Sequence, residues 1–365
     1  MSNEFTSPPL QFRILPLVQP SPTNQPINKQ LIRQLCESGL SECPTEDRCI
    51  AWLVLLGVYS DYAIEWPEKR DRIIETYLAF VHDFGLDDWP KKRFDKNVHV
   101  EDFEVPNQKL MYLIYIDIVR SDRKFYFFPP VDIQDGDPDD RYSFFIPHVR
   151  RLERLLYIFG SLNVSLYYMQ GFNELIAPLY YAIVCAKQLF DDNLDFVEAI
   201  AFQCFQQLMT GTSIQEFYMT QDDSSIIHNR MRIYQQKFNK ILPDISQKLN
   251  YLSIEPIQYA YKWINLLFAQ EHLMPTLLIV WDSLFAHFDD LMNYCYYVAI
   301  SRVFECADKI QIDDFTATLE SIQHIDIQNI YKVLKRANQF YVNDLNKPTP
   351  IEILKRKFTL KIKKK

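Results

Sequence analysis

Glycine is scarce in this chain, seven among 365 residues. Gly-rich phosphate loops and tight hairpins draw on the positive-φ freedom of that residue, so the shortage counts against them and favours helices packed on helices. The sequence also holds no G-x-x-x-x-G-K, G-x-G-x-x-G, G-x-S-x-G or H-E-x-x-H. Nothing therefore marks a chain that holds a nucleotide or runs a hydrolysis by itself. No stretch reaches 18 uninterrupted apolar residues, which excludes a membrane-spanning helix and limits membrane contact to the periphery.

Basic charge does not dominate either. A net charge of -8 is the wrong balance for a chain whose main partner is nucleic acid. The seven cysteines (36, 43, 49, 185, 204, 295 and 306) form no C-x-x-C pair, and the opening MSNEFTSPPLQF has no charged-then-apolar signal pattern. They read as reduced thiols of a cytosolic protein. Zinc at Cys36, Cys43 and Cys49 would need further ligands that the neighbourhood lacks. The acidic segment PPVDIQDGDPDDRY, residues 129–142, misses the calcium-loop spacing and its closing glutamate, so it reads as a solvated connector.

What the chain does have is apolar and aromatic mass, 48% and 15% of its residues, enough for thick helix-to-helix layers. Residues 1–28 carry six prolines among Ser, Gln and Asn, and are expected to form an extended, disordered arm. Helical periodicity starts near residue 29 and continues through DRCIAWLVLLGVYSDYAI, entered at Pro44-Thr45. Further helices are expected at 67–84, 107–121, 147–160, 171–190, 194–209, 223–240, 256–271, 291–308 and 328–345. In one more, Pro275 stands in the first turn ahead of Leu277, Trp281, Leu284 and Phe285. No strand pattern or repeat period stands out, so the class is all-α and non-repetitive. The last residues, 347–365, are a basic tail in which eight lysines and arginines stand among Ile351, Leu354, Phe358, Leu360 and Ile362. That composition suits an anionic membrane surface, and equally a solvated tail.

Three short stretches carry polar residues in apolar company. In QKLMYLIYIDIVRSDRKFYFF (108–128), Ile114, Asp117 and Arg120 advance by threes, placing a carboxylate and a guanidinium on one helix face. They form either a plain ion pair or an aspartate that positions an outward-pointing arginine. In SLNVSLYYMQGFNEL (161–175), Gln170 stands among aromatics. If buried, its amide must be satisfied internally, or it waits for a ligand. In DRCIAWLVLLG, Arg48 and Trp52 recur with Leu55, Leu56 and Gly57 at fixed offsets; Trp52 is most simply core.

Arg48-x-x-x-Trp52-x-x-Leu55-Leu56-Gly57, Ile114-x-x-Asp117-x-x-Arg120 and Tyr168-x-Gln170-Gly171, followed by KWINLLFAQEHL and IVWDSLF, resemble in their order the signature motifs of the TBC-domain Rab GTPase-activating proteins. The resemblance spans roughly residues 31–345 and implies a two-lobed helical domain over 29–346, its catalytic lobe about 29–245 and its second lobe about 246–346. It implies that the chain binds a GTP-loaded Rab and supplies an arginine finger, Arg120, and a glutamine finger, Gln170. Asp117, Tyr168, Gly171, Asn173, Arg48 and Trp52 are the supporting residues by motif position. It needs no cofactor of its own, because GTP and Mg2+ come on the Rab. The implied setting is vesicle trafficking, in the cytoplasm or peripheral on endomembranes. A non-catalytic Rab-binding scaffold is the alternative. Ser121, Phe172, Lys262 and His272 depart from the residues usual in these motifs.

Overall fold

The structure is a computed structural model that describes residues 14–18, 24–40, 42–94, 97–120, 127–131, 144–218 and 224–346. The basic tail lies outside them, as do Ser121 and the acidic run from Asp132 to Asp140. Every regular element among the described residues is helical, as the low glycine content and the 3.6-residue periodicity require. The chain runs α1 Lys29–Cys36, α2 Thr45–Leu55, α3 Trp66–Asp83, α4 Gln108–Arg120, α5 Ile146–Leu162, α6 Phe172–Val184 and α7 Leu194–Gly211. It continues with α8 Ser224–Ile241, α9 Pro243–Tyr251, α10 Ala260–Asn265, α11 Met274–Ala286, α12 Leu291–Phe304, α13 Phe315–Gln323 and α14 Ile330–Leu345.

Local chemistry sets many of the ends. The Asn28, Asn193, Asp314 and Asn329 side chains accept backbone N–H groups at the starts of α1, α7, α13 and α14, filling donors that have no partner inside the helix. Prolines open α3, α5, α9 and α11, where a missing N–H costs nothing. The long run expected from Asp47 onward stops at Leu55, because Gly57 takes a left-handed φ of 74°.

The centre is α5 and α6, both buried over most of their length, with α4 and α7 against them and α3 against α7. Buried charge on α5 is paired. Arg154 Nε donates to Glu198 Oε1 at 2.8 Å, and Arg150 forms an ion pair with Glu153. The first helices reach across the sequence, α1 and α2 packing on α11. The lobe division expected near residue 245 falls inside α9, and α8 and α9 pack together, with α8 lying against α10 and α12.

Two expectations need correction. The Pro-rich arm is not wholly disordered. Ile14 and Val18 are buried in the core, and the backbone N–H groups of Ile14 and Leu15 donate to Asp47 Oδ1 at 2.6 and 3.0 Å. Four apolar residues between the prolines, Ile14, Leu15, Leu17 and Val18, supply the contact area that the average composition hid. Residues 1–13 and 19–23 lie outside the described part. The helix expected over 256–271 is also broken. A short 3-10 turn, Pro256–Gln258, leads into α10, and then Leu267 and Phe268 take left-handed φ values of 48° and 62°.

Candidate functional site

Helix α4 buries Leu110, Met111, Ile114 and Ile118 and brings Asp117 and Arg120 to its C-terminal end. The Arg120 side chain is 68% exposed and that of Asp117 only 11%. Their closest approach, Arg120 Nη1 to Asp117 Oδ1, is 3.8 Å, an ion pair beyond hydrogen-bond length. Asp117 is tied elsewhere. Tyr168 Oη donates to its Oδ2 at 2.9 Å, and Asn173 Nδ2 donates to its backbone carbonyl at 3.3 Å. Burial pushes the Asp117 carboxyl above its ordinary range, against the Tyr168 hydrogen bond and the nearby Arg120 charge, both of which pull it down.

The connection from α5 to α6 carries the glutamine. Tyr168 is buried, whereas Gln170 is exposed and its side chain makes no hydrogen bond among the described residues. Of the two alternatives open for this amide, internal satisfaction or an outward position, its exposure matches the second, because Tyr168 and Phe172 take the buried positions on either side. Phe172 meets Phe159, Phe205, Tyr168 and Tyr218 edge to face, so a ring is well accommodated where the motif usually differs. Gly171 caps α6 with φ 107°, and a Cβ there would come within 2.9 Å of Leu266 Cδ2. Only glycine meets both conditions. Gly171, at the start of α6, lines the same cleft as Gln170.

A third segment closes the site. Tyr261, Lys262, Asn265, Leu266 and Gln270 line one open cleft of about 370 Å³ with Asp117, Arg120, Gln170, Gly171, Asn173 and Glu174. The guanidinium, the amide and the helix start therefore share one solvent-filled space. A larger hollow of about 490 Å³ between α3 and α7 contains none of the motif residues except Gly57. Gln270 Nε2 donates to Glu174 Oε1 at 3.1 Å across the cleft. In the sequence the KWINLLFAQEHL stretch stands as a motif with no assignment to the site; the cluster of amides and a lysine within it is the available signal. Glu174 had none beyond its place after Asn173.

Arg48 and Trp52 do not line this cleft. Arg48 Nε donates to Asp282 Oδ1 at 3.1 Å, Trp52 Nε1 donates to the same oxygen at 2.7 Å, and Leu40 N donates to Oδ2 at 2.8 Å. Asp282 is fully buried, and burial pushes its carboxyl up despite these partners. The two residues join α2 to α11, and their support of the site is architectural. His272, another departure from the usual motif, accepts at Nε2 from Arg302 Nη1 at 2.7 Å. Among the described residues no group of three or more His, Cys, Asp or Glu could hold a metal ion.

A sequence model of the Rab-GTPase-TBC domain matches residues 48–311, from Arg48 through all three motifs and the cleft's third segment. The chain belongs to that family. Among curated TBC relatives, human TBC1 domain family member 13 is 30% identical over 197 residues, covering 53% of this chain and 47% of the relative. Human TBC1 domain family member 22B is 21% identical over 294 residues, 77% of this chain and 52% of the relative. The chain thus spans about half the length of the curated relatives it matches. Of solved structures, the Ypt/Rab-GAP domain of Gyp1p superposes with a TM-score of 0.66 at 20% identity, covering 91% of this chain and 97% of that one. A Chlamydomonas flagellar RabGAP TBC domain gives 0.55 at 15% identity, covering 86% and 85%. Both likenesses establish the all-helical TBC fold.

Proposed function

We propose that this TBC domain accelerates GTP hydrolysis on a Rab-type small GTPase, with Arg120 and Gln170 entering the partner's site in trans. The observation that carries this is their shared cleft. An exposed guanidinium at the end of α4 and an exposed amide on the α5–α6 loop lie beside a glycine-capped helix start. Phosphoryl transfer to water asks for positioning and charge stabilisation more than for covalent chemistry. A planar guanidinium can neutralise two phosphate oxygens at once. A glutamine amide accepts from the attacking water while donating to an oxygen, where a carboxylate would bring repulsion. GTP and Mg2+ come with the partner.

Single-turnover hydrolysis across a panel of GTP-loaded Rabs tests the proposal. Stimulation of at least one Rab, lost in both Arg120→Ala and Gln170→Ala, is the expected result. Tight binding to a Rab with no change in its hydrolysis would leave a scaffold instead. Such an activator works from the cytoplasmic side of endomembranes in vesicle traffic. The basic tail adds an anionic-surface contact, each lysine or arginine near the surface contributing about 1 kcal/mol before screening. Removing residues 348–365 then lowers binding to anionic vesicles and leaves activity on soluble Rab intact.

A further inference from the structure

Tyr218 lies outside every signature motif, in the chain just after a 3-10 turn, Ser213–Phe217, that follows α7. Its buried ring meets Phe172 edge to face at 4.9 Å, and its hydroxyl sits 3.7 Å from where a Cβ of Gly171 would stand. The same hydroxyl donates to the Asn265 carbonyl at 2.7 Å. One side chain thus packs on Phe172 beside Gly171 and ties that turn to Asn265, the last residue of α10, next to the Leu266–Gln270 segment.

That segment is an unusual anchor. Leu267 and Phe268 are bulky, fully buried and left-handed in succession, a backbone state that such residues rarely adopt and that surrounding structure must enforce. Here Phe268 N donates to the Trp263 carbonyl at 2.7 Å, and Trp281 Nε1 donates to the Leu267 carbonyl at 2.9 Å. The result holds Leu266 against Gly171 and Gln270 within reach of Glu174.

We propose that Tyr218 is a positioning residue for Gln170, clamping the Gly171 turn to the end of α10, just ahead of the strained Leu267–Phe268 pair, so that the glutamine amide is held ready over the cleft. This rests on the GTPase-activator reading of the cleft. Gln170 itself is exposed and has no hydrogen bond of its own among the described residues, so its direction is set by the turn that carries it. Preorganisation of this kind appears in the rate at saturating partner and not in affinity.

The test is a double-mutant cycle on the full chain, using the GTP-loaded Rab that the parent stimulates most. Tyr218→Phe removes the hydroxyl and keeps the ring; one lost hydrogen bond is expected to lower kcat roughly five- to tenfold, with KM and thermal midpoint almost unchanged. The loss should persist in Arg120→Ala and vanish in Gln170→Ala, since a clamp has nothing to position once the amide is gone. Where Gln170→Ala turns over too slowly to time, the same cycle is read as affinity for Rab loaded with GDP and aluminium fluoride. Unchanged kcat in Tyr218→Phe, or an equal loss with and without Gln170, overturns the inference while leaving the activator reading in place. A parent chain that stimulates no Rab overturns both.

Discussion

Tyr168 and Asp117 share a hydrogen bond of 2.9 Å that joins the arginine-bearing helix to the glutamine-bearing loop. Arg120, three residues on from Asp117, stays 3.8 Å from it and largely exposed. The carboxylate is thus secured by the tyrosine, which leaves the guanidinium free to reach a partner.

Arg120→Ala therefore should leave the fold intact, with a stability change within about 0.5 kcal/mol, as for an exposed pair. GTPase activation should fall by roughly 10³–10⁵-fold at saturating Rab. Arg120→Lys keeps the charge and loses the fork, and should stay far below the parent. Thermal melts beside single-turnover rates check this. A large melt shift, partly rescued by Asp117→Asn, would make Arg120 a structural partner.

Gly171→Ala should damage activity more than stability. The new Cβ meets Leu266 at 2.9 Å on a backbone with φ 107°, and the left-handed conformation alone costs a non-glycine residue about 1–2 kcal/mol. The loop must rotate to relieve both, carrying Gln170 with it. Activation rates and a chemical denaturation curve on the same preparation measure the two effects.

The opposite pattern is expected at Arg48. Its removal leaves the buried Asp282 carboxylate without its cation, a change that costs about 3–5 kcal/mol. Arg48→Ala should unfold at distinctly lower denaturant, while its folded fraction still activates the GTPase. Adding Asp282→Asn should restore part of the stability. Loss of activity at unchanged stability would place Arg48 at the site after all.

Two buried histidines set an acid limit. His148 donates from Nε2 to the Pro129 carbonyl and accepts at Nδ1 from Tyr180, both at 2.8 Å, a neutral pattern. Burial holds its pKa down at about 4, and burial with the facing Arg302 holds His272 at about 3, against 6.5 for the free side chain. The unfolded chain binds more protons between those values. Stability is then fully present above pH 6.5 and falls as the pH drops toward 4, by up to about 1.4 kcal/mol per pH unit for each histidine. The stability advantage of the parent over His148→Gln should shrink on going from pH 6.5 to 5. An advantage independent of pH would contradict the neutral assignment.

The arm that composition alone marks as disordered includes the docked Ile14–Val18 strap. Without it Asp47 loses two backbone donors and the surface under Ile14 and Val18 is uncovered. Ile14→Ala should cost about 2–5 kcal/mol, as for other buried isoleucines, and truncation at least as much. Equal melting of the parent, Ile14→Ala and the truncated chain would show the strap to be dispensable.

The sequence by itself determined the helical class, the places where many helices begin, and the order of its signature residues. These follow from short-range physics: apolar spacing, capping side chains, prolines in first turns and glycine at Gly57 and Gly171. Tertiary structure decided what each polar residue does. Trp52 is core as its apolar neighbours suggest, but only the fold shows that it and Arg48 both donate to Asp282, some two hundred residues further along the chain. Gln170 stands among aromatics with its burial open in the sequence, and it is exposed because burial of Tyr168 and Phe172 leaves it the outer position. The pattern over 256–271 keeps a helical period through Leu267 and Phe268, yet the backbone turns left-handed there under the hold of Trp263 and Trp281. Periodicity reports which face of a segment is apolar. It contains no term for a partner that arrives from another helix, and the third wall of the cleft is built from such partners.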